Sequence, residues 1–274
     1  MRRGSCKLCD RDTDLLDSHL IPAAIYKRLK SPTSPNPNPL LIRSGSAVQT
    51  SRQTKTYLLC GDCEKLLNEN GERQVLPLLA NIDQTFPLYD LVTKVAPDTA
   101  TDEVTAYAAA RNPDIPVSAL AHFALGIFWK ASVHHWHGSD EDPLIELGPY
   151  QKKLGRFVRE PLDEYFPENV ALMVCVLPPF NIPISLSLPI RAPAGDGFRN
   201  FRFYVPGIQF VFSVGKCVER ETCFCTNPLH PVWVQDIASA VNEIPRRMFQ
   251  RGKDKKVLDR RIFGSGPSTK RRHP

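Results

Sequence analysis

Residues 4–22, GSCKLCDRDTDLLDSHLIP, and residues 57–72, YLLCGDCEKLLNENGE, decide how this chain begins to fold. Each stretch holds a Cys-x-x-Cys pair, Cys6 with Cys9 and Cys60 with Cys63. A tight turn of that kind sets two thiolates about 3.5–4 Å apart, which suits a zinc ion with Zn–S bonds of about 2.3 Å. Two such turns complete a tetrahedron, so the first 72 residues are expected to fold around one structural zinc held by the four cysteines. The gap from Cys9 to Cys60 exceeds the roughly 15–20 residues of common zinc ribbons, so the residues between the pairs carry the rest of the reading.

The compartment supports metal over disulfide chemistry. No run of about 18 apolar residues is present, so no membrane span is expected. The start MRRGSCKLCD lacks the apolar region of a secretory signal, and a cytoplasmic location is expected. Closely paired cysteines in a reducing compartment point to metal or redox chemistry. A thioredoxin-like reading needs its Cys-x-x-Cys beside a βαβ pattern, and neither pair has one.

Working outward from the pairs, LLDSHLIP reads as a strand from Leu15 to Ile21, stopped by Pro22. AAIYKRLK reads as a helix with Ile25 and Leu29 on one face. Pro and Asn dominate Ser31–Pro39 and leave only a loop. TYLLC runs as a strand into the second pair, and a helix is expected from Glu64 onward with a kink at Pro77.

The remainder reads as α+β. Residues 116–137 form the clearest helix, with Leu120, Phe123, Ile127, Phe128 and Ala131 at helical spacing. A helix in YQKKLGRFVREPL ends near Pro161. Strands are then expected in NVALMVCVLPPF and PISLSLPI, and FRNFRFYVPGIQFVFSVG alternates about Pro206-Gly207 as a hairpin should. VWVQDIASAVNEIPRRMF closes with a helix. Three parts are expected: a zinc module at 1–75, an α+β region with core helices and an antiparallel sheet at 76–250, and a basic, disordered tail at 251–274.

The motifs of the first part resemble the HNH endonuclease, or ββα-metal, family in its zinc-bearing form. Ser18-His19-Leu20-Ile21-Pro22 stands where that family has Asp-His-x-x-Pro, and Leu59-Cys60-Gly61-Asp62-Cys63-Glu64 where it has Leu-Cys-x-x-Cys-His opening a helix. The resemblance covers about a quarter of the chain and implies a ββα fold in which four cysteines hold the frame. A second divalent ion, Mg²⁺ or Mn²⁺, would then serve hydrolysis of DNA phosphodiesters. By the same resemblance His19 is the general base, and Glu64 takes the position of a metal-binding His. Asn68 and Glu72, four and eight residues after Glu64, are expected on its helix face and complete the cation ligands. Three positions depart from the pattern. Ser18 replaces the metal-binding Asp, Asp17 falls one position off, and Gln53 and Lys55 stand where an Asn is usual. These departures fit a second reading, a module that binds nucleic acid or a protein partner without cleaving.

Charge agrees with a polyanionic partner. The net charge is +6, distributed as +3 over residues 1–72, −6 over 73–245 and +9 over 246–274. A basic end of that kind suits nucleic acid or stays solvated. Other signals are weaker. His134 and His137 would share a helix face, but two histidines without an acid do not make the His-Glu-x-x-His pattern. Cys217, Cys223, Cys225 and His230 have irregular spacing for a second zinc. Phe198, Phe201 and Phe203 interleave with Arg199 and Arg202, as on a base-stacking sheet, but a half-buried hairpin predicts the same pattern. GSGPSTK lacks the order of a Walker A motif, and no Gly-x-Gly-x-x-Gly or Gly-x-Ser-x-Gly element appears.

Overall fold

Near the N-terminus, strand β1 (Arg2–Ser5) turns through the first cysteine pair into β2 (Asp12–His19), and the two pair antiparallel from Arg2↔Leu15 to Ser5↔Asp12. The turn is closed by Cys6 N–H to Arg11 O at 2.9 Å and Asp10 N–H to Cys6 O at 2.8 Å, with Asp10 at φ 60°. Asp is among the few residues that adopt this left-handed geometry readily. Pro22 then starts the short helix α1 (Ala23–Arg28), whose Ile25 is buried. A computed structural model of the chain describes residues 2–30, 35–43, 46–83, 85–101, 104–136, 145–160, 168–179, 185–193, 197–216 and 231–235.

Two units divide the chain. One takes in residues 1–29 and 52–236, the other 30–51 and 237–274. Within the smaller unit, β3 (Leu40–Arg43) and β4 (Ser46–Gln49) form a hairpin, and residues 35–39 before it hold neither helix nor strand. The expected closing helix after residue 235 and the basic tail lie outside the described residues.

In the larger unit, β5 (Lys55–Cys60) joins β2 to complete a three-stranded sheet in the order β1-β2-β5. The pairing slips between Leu16↔Leu59 and Asp17↔Tyr57, so Leu58 is an extra residue in β5. The bulge falls in a run where Leu58, Leu59 and Cys60 are all buried in succession. The strand feeds directly into α2 (Gly61–Leu67). The single helix expected from Glu64 onward is broken into a π-helical turn at Asn68–Glu72, the short α3 (Arg73–Val75) and a 3₁₀ turn at Leu76–Leu78. Arg28 of α1 reaches the end of this run, donating to Leu76 O at 2.7 Å and Leu79 O at 3.4 Å. It thereby adds a side-chain donor to carbonyls at the end of the 3₁₀ turn.

After α4 (Pro87–Val92), β6 (Thr99–Ala100) and β7 (Val104–Ala108), the chain enters α5 (Val117–Val133). Every residue from Ala119 to Ala131 is buried, His122 and Lys130 among them, so the helix lies within the core. It ends at Val133 because His134 is extended, with φ −150°. Trp136 Nε1 donates to Lys130 O at 2.9 Å, and Gln151 Nε2 to Ser132 O at 2.6 Å, closing the last turn. His134 and His135 therefore leave the helix, and the shared helical face expected for the histidine cluster is not formed. His137 lies outside the described residues.

Helix α6 (Tyr150–Arg159) packs on α5, where Gly155 leaves room for the Trp129 indole. The strands β8 (Val170–Val176), β9 (Ser187–Ala192), β10 (Phe198–Val205), β11 (Ile208–Gly215) and β12 (Pro231–Gln235) follow. With β6 and β7 they make a seven-stranded sheet ordered β6-β7-β12-β8-β11-β10-β9. The sheet is antiparallel except where β12 lies parallel to β8. The expected hairpin is present, with Val205 opposite Ile208 and Gly207 at φ +81° supplying the turn. Its Phe203 and Phe210 rings stack at 5.0 Å, and Phe128 of α5 meets Phe203 at 4.9 Å and Phe212 at 5.0 Å. These aromatics are core, not a base-stacking surface. The chain is thus mixed α/β with largely antiparallel sheets and a cluster of four cysteines near its N-terminus. Among the described residues no helix is long and apolar enough to cross a membrane.

Candidate metal centre and the buried polar cluster beside it

The β1–β2 turn and the β5–α2 junction meet so that one sulfur each from Cys6, Cys9, Cys60 and Cys63 lies within 4.8 Å of every other. Cys9 Sγ is 3.8 Å from Cys60 Sγ. A tetrahedron with bonds of about 2.3 Å has edges of about 3.8 Å, whereas a disulfide needs about 2.05 Å. The four side chains are free thiols, and they fit a tetrahedral metal such as zinc. Among the described residues they are the one group of three or more His, Cys, Asp or Glu side chains gathered closely enough to hold an ion. Cys217, Cys223, Cys225 and His230 lie outside those residues.

Local hydrogen bonds explain why the sulfurs converge. Cys60 caps α2 with extended backbone, and its N–H points at Cys6 Sγ at 3.4 Å. Lys7 N–H bonds Leu58 O at 3.1 Å, fastening the first turn to the bulged strand. Cys6, Cys60 and Cys63 are buried, and Cys9 is partly open.

Arg11 lies over that open side. Its Nε is 3.4 Å from Cys9 Sγ, and one terminal nitrogen is 3.9 Å from Cys60 Sγ and 2.7 Å from Asp62. Burial pushes the Cys9 thiol up, but contacts from Arg11, Cys6 and Cys63 outweigh it and bring Cys9 down to about 6. Burial raises the Cys6 and Cys63 thiols. Nothing in the spacing of the cysteines identifies Arg11. Only its place two residues after Cys9 hinted at it.

Of the residues expected to carry chemistry, Glu64 directly follows Cys63, whereas His19 pairs with Lys55 at the opposite end of β5 from Cys60. His19 ends β2 and is half-buried, and Glu64 follows Cys63 in the first turns of α2. Glu64 Oε1 is buried and meets no donor among the described residues. Glu72, at the end of the π-helical turn, has a side chain 20% exposed. Burial pushes its carboxyl up, Lys130 pulls it down, and the nearby Glu64 pushes it up again. Asn68, at the start of the π-helical turn that ends at Glu72, is exposed.

Sequence reasoning missed the residue at the centre of this cluster. Lys130 of α5 is 2% exposed at its side chain, donates to the His19 carbonyl at 2.8 Å and lies 3.9 Å from Glu72 Oε1. One ammonium therefore ties the end of β2 to the π-helical turn. The signal was present, since a lysine inside ALGIFWKASV interrupts an otherwise apolar helix face.

The departing positions have structural partners. Ser18 is buried; its Oγ accepts from Leu59 N–H at 3.2 Å and donates to Leu16 O at 3.4 Å. It thus satisfies an amide next to the bulge. Asp17 faces outward and pairs with Lys55. Gly71 lets α5 approach the π-helical turn, because a Cβ there would lie 2.9 Å from Phe123 N. No family model, curated protein or solved structure matches the chain.

Proposed function

We propose that the module is a metal-dependent endonuclease of the HNH type that hydrolyses DNA phosphodiester bonds, with the four cysteines holding a structural zinc. The observation that supports this reading is the cysteine centre itself, whose second pair opens the helix bearing Glu64, with Glu72 on the turn that follows. Glu64 and Glu72 offer hard carboxylate oxygens, one of them buried without a donor, and that chemistry fits Mg²⁺ or Mn²⁺. When bound, the ion would steady charge developing on the scissile phosphate. His19 would take a proton from the attacking water, and exposed Asn68 would approach the ion from the solvent side. The basic C-terminal sequence would hold the nucleic acid through its phosphates.

The test uses zinc-loaded protein, supercoiled plasmid, and Mg²⁺ or Mn²⁺, beside a His19→Ala variant. Nicking by the wild type and its loss in the variant support the reading. Equal nicking by both, or none by either with any metal, contradicts it.

A second reading has its own observation. Ser18 and Asp17, the residues nearest the family's metal-binding Asp, are committed to Leu59 and Lys55. On that reading the module binds nucleic acid or a protein partner without cutting. Salt-sensitive DNA binding without cleavage supports it, and loss of that binding on deleting residues 252–274 assigns the affinity to the tail.

A further inference from the structure

The four sulfurs of the cysteine centre are unequally placed. Cys6, Cys60 and Cys63 are buried, at 5% exposure or less, whereas Cys9 is partly open to solvent. A small oxidant therefore meets the centre at Cys9 Sγ. Cys60 Sγ lies 3.8 Å from it and belongs to a different element, the junction of β5 with α2. A disulfide between them needs a separation of about 2.05 Å, about 1.8 Å shorter than the present one. Arg11 spans this same pair of sulfurs. Its Nε is 3.4 Å from Cys9 Sγ, and the terminal nitrogen bonded to Asp62 at 2.7 Å is 3.9 Å from Cys60 Sγ. The Arg11 side chain is 58% exposed, so the open side of the centre is covered by one surface residue rather than by packed core.

We propose that Cys9 is an oxidation site for hydrogen peroxide, that Cys60 completes the reaction as a Cys9–Cys60 disulfide, and that Arg11 slows it. The inference rests on the cysteine centre of the proposed function and is independent of DNA cleavage. Cysteines that hold a metal are thiolates, the nucleophilic form of the side chain. Cys9 Sγ attacks one peroxide oxygen, the O–O bond breaks and hydroxide leaves, giving a sulfenic acid on Cys9. Cys60 Sγ then attacks Cys9 Sγ, the S–S bond forms and a second hydroxide leaves. The two sulfurs give up two electrons, and the peroxide receives both. Cys6 and Cys63 remain as two of the four donors that a tetrahedral zinc site needs, so the metal is lost. Arg11 opposes the first step because its hydrogen bonds hold the sulfur electrons that must be donated to the oxidant.

The experiment treats zinc-loaded full-length protein with hydrogen peroxide and follows released zinc by the absorbance of a chelating dye. Digestion without reductant, by trypsin and an Asp-directed protease, cuts after Lys7 and before Asp10 and Asp62, so the four cysteines fall on separate peptides. Mass spectrometry then identifies the linked pair. The expected result is a Cys9–Cys60 link that grows in step with released zinc. A link between any other pair overturns the proposal, as does zinc loss with Cys9 still reduced. Cys9 carried to sulfinic acid without a link overturns it too. So does zinc retained after the same peroxide has oxidised a free thiol standard in the same solution.

Arg11→Ala tests the cover. Its readout is the slope of the zinc-loss rate against peroxide concentration, which leaves out any zinc that dissociates without oxidant. The slope should rise at least about threefold, a fraction of what one charge-assisted hydrogen bond is worth. An unchanged or smaller slope overturns the role given to Arg11. Zinc content measured before peroxide is added separates this claim from the one beneath it. A protein purified without zinc refutes the centre itself, and zinc retained under peroxide refutes the oxidation alone.

Discussion

Replacing Gly71 by alanine tests how closely the π-helical turn and α5 must approach. A Cβ at this position lies 2.9 Å from Phe123 N, 3.0 Å from Phe123 Cα and 3.2 Å from His122 Nδ1. The first two are main-chain atoms of a helix packed on several sides, so no rotamer change relieves the overlap. Overpacking of this kind costs about 1–3 kcal/mol, and alanine recovers about 0.5–1 kcal/mol of the glycine's conformational entropy. The difference is a net loss centred near about 1 kcal/mol and reaching about 2.5 kcal/mol. Gly126→Ala supplies the control within the same contact, since its Cβ meets only Leu67 Cδ2, at 3.0 Å. That methyl is the far end of a flexible side chain, and Gly126 lies within α5, where alanine gains about 0.8–1.0 kcal/mol in helix propensity. Gly126→Ala should therefore remain within about 0.5 kcal/mol of wild type. Urea unfolding of the zinc-loaded protein reads both as midpoint shifts at constant slope. Equal midpoints for the two variants, or a Gly71→Ala protein as stable as wild type, refute the close approach.

Other perturbations follow from individual contacts. Ser18→Ala removes the Oγ acceptor from the buried Leu59 N–H, and urea unfolding should show a loss of about 1–3 kcal/mol. Arg11→Ala removes donors from Cys9 and Cys60, so competition with a chelator should show zinc affinity lowered about 10–100-fold. His122 donates Nε2–H to Val158 O at 2.9 Å, and burial lowers its pKa. The unfolded chain therefore binds the extra proton first, and this residue contributes stability that declines as pH falls below about 6.5. In His122→Gln the stability difference from wild type should shrink as pH drops from 7 to 5, and a difference independent of pH contradicts the assignment.

The parts of the fold legible in the sequence are those with short-range signals. Cys-x-x-Cys spacing marked both turns, alternation about Pro206-Gly207 marked the β10–β11 hairpin, and the apolar periodicity marked α5 almost to its ends. The β5 bulge was not legible, because Leu58, Leu59 and Cys60 read equally well as a plain apolar strand end. The π-helical turn was hidden in a sequence with ordinary helical character. It is set by a crossing with α5 at Gly71, some fifty residues away in the chain. The same separation concealed the role of Lys130, whose partners His19 and Glu72 belong to the other side of the core. A break near residue 75 looked natural in the sequence because the cysteine motifs end there. In the folded chain Leu67 and Gly71 pack against α5, so the cysteine module and the larger sheet share one core.

The ligand set of the metal decides the account most directly, and X-ray absorption at the zinc edge of the purified full-length protein measures it. One zinc per chain with four sulfur neighbours at about 2.3 Å is the expected result. Fewer than four sulfurs, nitrogen or oxygen in the first shell, or zinc well below one per chain would contradict the cysteine centre on which the site is built.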